Sequence, residues 1–153
     1  MILKLREWDE QLIEWLRVNV FMMIRISTGL IYLVFGGLKF LPNYSPAETL
    51  AAETIGLITF DLFSGSLALY ALAVIETIIG VGLILNFKVK WTIRIALWHM
   101  ACTFFPMILL PGAAYTDAPY SLSLVGQYIL KNLVVVSALL AVYCHTPAKQ
   151  SLV

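Results

Sequence analysis

The chain has 153 residues, 61% of them hydrophobic and 12% charged, with a formal net charge of +1. Soluble domains run at roughly 45–50% apolar and about 25% charged, so a water-soluble globule is excluded: one domain of this size cannot hide that much apolar surface. A charge balance so near zero also leaves no electrostatic footprint for a nucleic-acid partner. The expected solvent is the lipid bilayer. The expected fold is an all-α membrane protein, a single domain over residues 1–153 built as an antiparallel four-transmembrane-helix bundle with two accessory helices.

In chain order, residues 1–17 read as an amphipathic helix. Leu5, Trp8, Leu12 and Trp15 share one stripe, and Arg6, Glu7, Asp9, Glu10 and Glu14 fall away from it. Mixed charges and two tryptophans suit a helix lying on the cytoplasmic leaflet, and equally a docking arm for a neighbouring subunit. Nothing here resembles a cleaved signal peptide, so the mature chain is expected to begin at or near Met1. Four apolar segments follow, at 18–38, 66–87, 91–111 and 124–143. Each is near the ~20 residues a bilayer core requires, and each is helical because lipid offers no partner to a free backbone amide. Between the first two, Ser45-Pro46-Ala47-Glu48 has the capping-box pattern with proline at the first helical position, predicting a short outer-face helix over 46–59 that lids the bundle. Only 86–90 separates spans two and three, so these two are antiparallel neighbours. The third span ends in 109–114, and a loop is expected from there to Ser123.

Lys4, Arg6, Arg17, Lys88, Lys90, Arg94 and Lys149 all fall on one side of a four-span chain, against Lys39 and the acids Glu48, Glu53, Asp61 and Asp117 on the other. The positive-inside rule puts both termini in the cytoplasm. Trp15, Trp91 and Tyr143 inside, and Tyr44, Tyr70, Tyr115 and Tyr120 outside, fit interfacial belts.

The informative residues are polar ones inside the spans. Arg25, Gly29, Tyr32, Gly36 and Lys39 step by four, three, four and three, which is one helix face. The glycines let a second helix approach closely, so Arg25 is expected to point inward. Lys39, at the helix end, is expected to lift into the interface. Glu76 stands near the middle of span two with Gly80 one turn on, and a depth count puts Arg25 within roughly 5 Å of its level. An Arg25–Glu76 ion pair is therefore expected. His99 reaches a similar depth on span three, with Thr103 and Pro106 along its face, and Gln127 and Lys131 lie one turn apart on span four. A charge at the bilayer centre costs on the order of 3 kcal/mol, so the candidate binding set is Arg25, Tyr32, Lys39, Glu76, His99, Gln127 and Lys131. One deep carboxylate faces several cations. Either the lid acids Glu48 and Glu53 compensate, or an external anion or carbonyl-bearing ligand does. The plainer alternative is an Arg25–Glu76 pair that only sets helix register, with Lys131 snorkelling outward.

Cys102 and Cys144 have no metal or CxxC spacing and lie too far apart in depth for a disulfide; both read as small apolar fillers. There is no haem, flavin or iron–sulfur motif and no metal-ligand set. No covalently bound cofactor is expected, and quinone or lipid is the candidate ligand. Any electrons would come from a partner protein.

Three runs, R-I-S-x-G-L-I-Y-L-x-x-G-G-L-K-F, A-V-I-E-T-I-I-G-V-G-L-I-L and G-Q-Y-I-L-K-N-L-V-V-V-S-A-L-L, resemble the DoxX-like family of small four-span bacterial membrane proteins. They lie near its branch containing the inner-membrane reactive-chlorine resistance protein. The anchors are Arg25, Gly36, Lys39, Phe40, Glu76, Gly80 and Lys131, and the resemblance spans residues 25–143. It implies a four-helix bundle in the bacterial inner membrane and a link to sulfur and redox metabolism. One branch is the membrane part of a thiosulfate:quinone oxidoreductase. The outer loop here is shorter than in the chlorine-resistance branch. Three functions follow. The first is a redox-associated accessory subunit whose buried cluster binds a quinone, lipid headgroup or small anion, at most the membrane subunit of a quinone-linked oxidoreductase within a respiratory or other redox complex. The second is a purely structural subunit of a larger membrane complex. The third is a small-anion or proton transporter, which four short spans support only as an oligomer.

Overall fold

The computed structural model describes residues 2–41, 48–117 and 120–147. Helix α1 (Ile2–Leu38) is followed by α2 (Glu48–Ile58), α3 (Gly65–Ile84), α4 (Val89–Cys102), α5 (Pro106–Leu109), α6 (Pro111–Ala114), strands β1 (Tyr115–Asp117) and β2 (Ser121–Leu122), and α7 (Leu124–His145). Four stretches are long and apolar enough to cross a membrane: Lys4–Leu38, Gly65–Ile84, Val89–Leu109 and Leu124–His145. The four expected spans are thus present.

The helices pack in a ring, α1 against α3 and α7, and α4 against α3 and α7. Ile79, Leu83, Val89, Ile93 and Leu139 are fully buried between them. The outside is as apolar as the inside: Val18, Ile78, Trp98, Ile108 and Val134 are all exposed, as suits surfaces solvated by acyl chains. One end of the bundle carries Arg17, Lys88, Lys90, Arg94 and His145 and is called here the basic end; α2 covers the other, the lid end, packing on α3 and α5.

The α1–α3 contact is the most extensive between two elements. A Cβ on Gly80 would stand 2.8 Å from the backbone nitrogen of Leu33 and 2.9 Å from the Gly29 carbonyl oxygen, and one on Gly36 would stand 2.9 Å from the Glu76 Cβ. The helices therefore touch backbone to backbone, and this contact sets their antiparallel register. The turn to α4 is short because Asn86 (φ 57°) and Lys88 (φ 40°) both adopt the left-handed conformation, while Leu85 and Phe87 donate back to the Val81 and Gly82 carbonyls at 2.9 and 3.0 Å. Pro106 has no N–H, and the chain ahead of it tightens: Phe104 and Phe105 donate to Ala101 and Cys102, three residues back, each at 3.2 Å. Span three is consequently broken into α4 and α5 just beyond His99. Ser123 starts α7 by accepting from the Gly126 N–H at 3.0 Å while donating to the Ala113 carbonyl at 2.6 Å.

Two expectations are corrected. The head and the first span are one uninterrupted helix of 37 residues, about 55 Å long at 1.5 Å per residue. A head lying on the leaflet needs a break near Arg17, and none occurs. The stretch before Ser123 is not a plain loop: α6 and a small antiparallel hairpin occupy it, with Tyr115 opposite Leu122 and Asp117 opposite Ser121. The expected lid helix is present as α2, ending at Ile58 with the Thr59 N–H still donating to the Ile55 carbonyl at 2.9 Å, while Ser45, Pro46 and Ala47 of its capping pattern lie outside the described residues.

Candidate functional site

The α1–α3 register decides which charges meet. Gly36 is opposite Glu76 and Thr77, whereas Gly29 is opposite Gly80, Leu83 and Ile84. Arg25, one turn further toward the basic end, is therefore level with the end of α3, about 12 Å below Glu76 at helical rise. It donates through Nη1 to the Leu83 carbonyl and to the Ile84 carbonyl, the latter at 3.1 Å. These are last-turn carbonyls of α3 with no acceptor duty inside their own helix, and a cation is well placed at that negative helix end. The expected Arg25–Glu76 pair does not form. The depth count aligned the midpoints of two spans, but close packing aligns glycines.

The partner of Glu76 is Lys39. The last helical residue of α1 is Leu38, and the Lys39 side chain turns back toward the helix start, as side chains near a helix end do. Its Nζ stands 2.6 Å from Glu76 Oε2 and donates to the Phe35 carbonyl at 3.4 Å. Both residues are buried, Lys39 at 8% exposure and Glu76 at 6%. Lys39 was expected to rise into the interface. It goes inward instead because Gly36, without a side chain, lets α3 bring a carboxylate within its reach.

The other oxygen of Glu76 is also engaged. His99 Nε2 on α4 lies 3.3 Å from Glu76 Oε1. His99 Nδ1 lies 3.2 Å from the Tyr32 hydroxyl, which in turn stands 3.2 Å from the Ala96 carbonyl oxygen. Tyr32 is 3% exposed and His99 6%. A chain Lys39–Glu76–His99–Tyr32 thus ties α1, α3 and α4 together near mid-bundle. Four of the seven expected site residues are in it.

Gln127 and Lys131 are not. The inward face of α7 is Gly126, Ile129, Leu139 and Val142, and at 100° per residue Gln127 and Lys131 turn away from it. Both are exposed, and Lys131 Nζ sits 5.0 Å from the ring centre of Tyr128. The residue α7 does aim inward is Asn132, which donates to the Thr103 hydroxyl at 3.0 Å; helical phase relative to Ile129 was the available signal. At the basic end, Arg94 donates to the Tyr143 hydroxyl at 3.0 Å through Nη2 and stacks 4.7 Å from the Trp91 ring centre. Phe21 and His145 stack at 3.8 Å. Both contacts close helix pairs at that end. Cys102 is half-buried, but Cys144 is exposed and is not a core filler.

The charge count changes accordingly. Within the cluster one ammonium faces one carboxylate, Arg25 is occupied by helix-end carbonyls, and Lys131 is outside the bundle. No surplus positive charge remains at the cluster to call for an external anion. Among the described residues every buried side-chain nitrogen and oxygen has a hydrogen-bond partner.

What the cluster can do follows from counting hydrogens. His99 Nε2 faces a carboxylate and so carries a proton. The Tyr32 hydroxyl has one proton and two acceptors in reach. If it donates to His99 Nδ1, the imidazole is neutral and the cluster is neutral. If it donates to the Ala96 carbonyl, it can accept from a protonated Nδ1, and the cluster is cationic. A hydroxyl rotation alone accommodates one added proton, with no heavy atom moving. Compared with known proteins, the chain matches no family model, no curated protein and no solved structure.

Proposed function

We propose that this protein is an accessory subunit of a redox assembly in the bacterial inner membrane, and that Tyr32, His99 and Glu76 form a proton-accepting element serving a quinone-class carrier. The observation carrying this reading is the Tyr32 hydroxyl between His99 Nδ1 and the Ala96 carbonyl, at 3.2 Å from each. Reducing a quinone to a quinol takes two electrons and two protons. With no redox-cofactor motif in this chain, the electrons come from a partner subunit, and this chain's part is to hold and hand over a proton. A donor hydroxyl and an imidazole are the groups a quinone carbonyl calls for. The likeness of three runs to the DoxX-like family, one branch of which serves a thiosulfate:quinone oxidoreductase, points the same way. The basic end faces the cytoplasm by the positive-inside rule, with the lid on the opposite side.

A second reading has its own support. Complete pairing of the buried polar atoms suits a structural lock that fixes helix register and does no chemistry. Nanodisc-embedded protein separates the two. Under the first reading, infrared difference spectra between acid and alkaline pH contain an imidazole protonation band that is lost in His99→Gln, and a labelled short-chain quinone binds above empty discs and at least about ten-fold more weakly to Tyr32→Phe. Spectra without that band, together with quinone uptake equal to empty discs, leave the lock and overturn the proposal.

A further inference from the structure

The basic end of the bundle holds cations that the buried cluster does not use. Lys90, Arg94 and Trp98 step by four along α4 and so form one row. The row runs beside Tyr143 of α7. Arg94 donates through Nε and Nη2 to the Tyr143 hydroxyl at 3.3 and 3.0 Å, and Lys90 Nζ stands 5.5 Å from the centre of the Tyr143 ring. Arg94 is exposed and Lys90 half-buried. Neither is paired with a carboxylate among the described residues, and neither α4 nor α7 carries an aspartate or glutamate. Like charges one turn apart on a helix repel, so this seam presents two uncompensated cations. Nη1 of Arg94 is left to donate, and the Tyr143 hydroxyl, which accepts from Arg94, still has its own proton to give.

Depth identifies the kind of occupant. Lys90 and Arg94 lie within about 8 Å of the start of their span at helical rise, and Tyr143 is in the last turn of α7. That is the level at which hydrocarbon gives way to headgroups. One turn deeper, Trp98 on α4 and Leu140 on α7 are exposed and apolar. Cations at headgroup level above an apolar wall match an amphiphile rather than a soluble anion. The side chains also select the headgroup. A zwitterionic one brings an ammonium that finds no carboxylate on either helix, and the Trp91 and Tyr143 rings that could receive it already have Arg94 and Lys90 over them. A phosphodiester carrying a neutral polyol brings the anion alone, and its oxygens accept from a guanidinium, an ammonium and a phenol together.

We propose that the α4–α7 seam at the basic end binds one anionic phospholipid of the phosphatidylglycerol class, its phosphate between Lys90 and Arg94 and its chains along Trp98 and Leu140. Basic positions between membrane helices are suited to anionic headgroups. The site is independent of the buried cluster and of which way the bundle faces.

The test is native mass spectrometry of the full chain in detergent, titrated with phosphatidylglycerol or with phosphatidylcholine of the same acyl chains. The first phosphatidylglycerol is expected to bind about ten-fold or more tightly than phosphatidylcholine, and the variant carrying Lys90→Gln and Arg94→Gln to lose that preference. Lys90→Gln alone leaves the Arg94–Tyr143 contact intact, so it tests the site even if the double variant unfolds; it should weaken phosphatidylglycerol binding about five-fold. Lys131→Gln removes a cation elsewhere and should change nothing. Equal binding of the two lipids, a preference that survives Lys90→Gln undiminished, or the same loss in Lys131→Gln overturns the site. Displacement of the lipid by inorganic phosphate at equal concentration overturns the lipid as its occupant.

Discussion

Glu76 receives Lys39 on one carboxylate oxygen and His99 on the other, and removing either partner leaves the rest in an apolar interior. Breaking a buried ion pair from one side costs about 3–5 kcal/mol. Glu76→Gln is expected to fall in that range, because it strands an ammonium with only the Phe35 carbonyl and a neutral amide. Lys39→Met should cost less, since His99 can take up a proton and supply the missing positive charge. The double variant should be more stable than the sum of the two predicts, by more than 1 kcal/mol in a detergent or bicelle unfolding cycle; strict additivity would mean the two side chains do not meet. Arg25→Ala supplies the contrast. It removes a donor from the Leu83 and Ile84 carbonyls, and its effect should add to that of Glu76→Gln within about 0.5 kcal/mol, as distant sites do. Coupling above that would bring back the Arg25–Glu76 pair.

The elements are positioned by small residues and caps more than by charge. Gly80→Ala drives a methyl into backbone atoms of Leu33 and Gly29, which cannot move aside, and should cost about 1–3 kcal/mol as an overpacked core does. Gly37→Ala meets nothing within 4 Å and should be neutral or gain up to about 1 kcal/mol from helix propensity. Equal melting losses for the two would remove the close α1–α3 contact. Ser123→Ala removes the α7 cap and should lower stability by about 1 kcal/mol. At this scale much was legible. The spans, the short 86–90 turn and the face bearing Gly29 and Gly36 all follow from hydropathy and a period of 3.6. What could not be read was the hairpin between Tyr115 and Leu122 and the continuity of α1, because each depends on how neighbouring segments pack.

For the whole molecule, the four spans place the two described chain ends on the same side of the bundle. Cys144, exposed at the basic end, reports which side that is. A membrane-impermeant maleimide should label it in inside-out vesicles and spare it in right-side-out ones. The reverse pattern would invert the orientation and put the lid in the cytoplasm. The exposed head of α1 adds a second expectation. A chain lacking residues 1–14 should keep the melting midpoint of the bundle, because the head side chains from residue 4 to 15 are exposed. A large drop in the midpoint would mean the head is part of the bundle's own packing.

Composition alone pointed to a lipid environment, and hydropathy alone picked out four segments long and apolar enough to cross one, since both are sums over residues that do not depend on where any neighbour sits. Periodicity also picked out Tyr32, Lys39, Glu76 and His99 as polar residues within or at the ends of spans. Which of them touch was decided only by the folded bundle. A guanidinium and an ammonium on the same face of α1 are equivalent candidates for one carboxylate until Gly36 and Gly80 bring two backbones into contact. That contact fixes the sliding position of one helix on the other, and because about four turns of α1 separate Arg25 from Lys39, one register admits only one of them as the partner of Glu76.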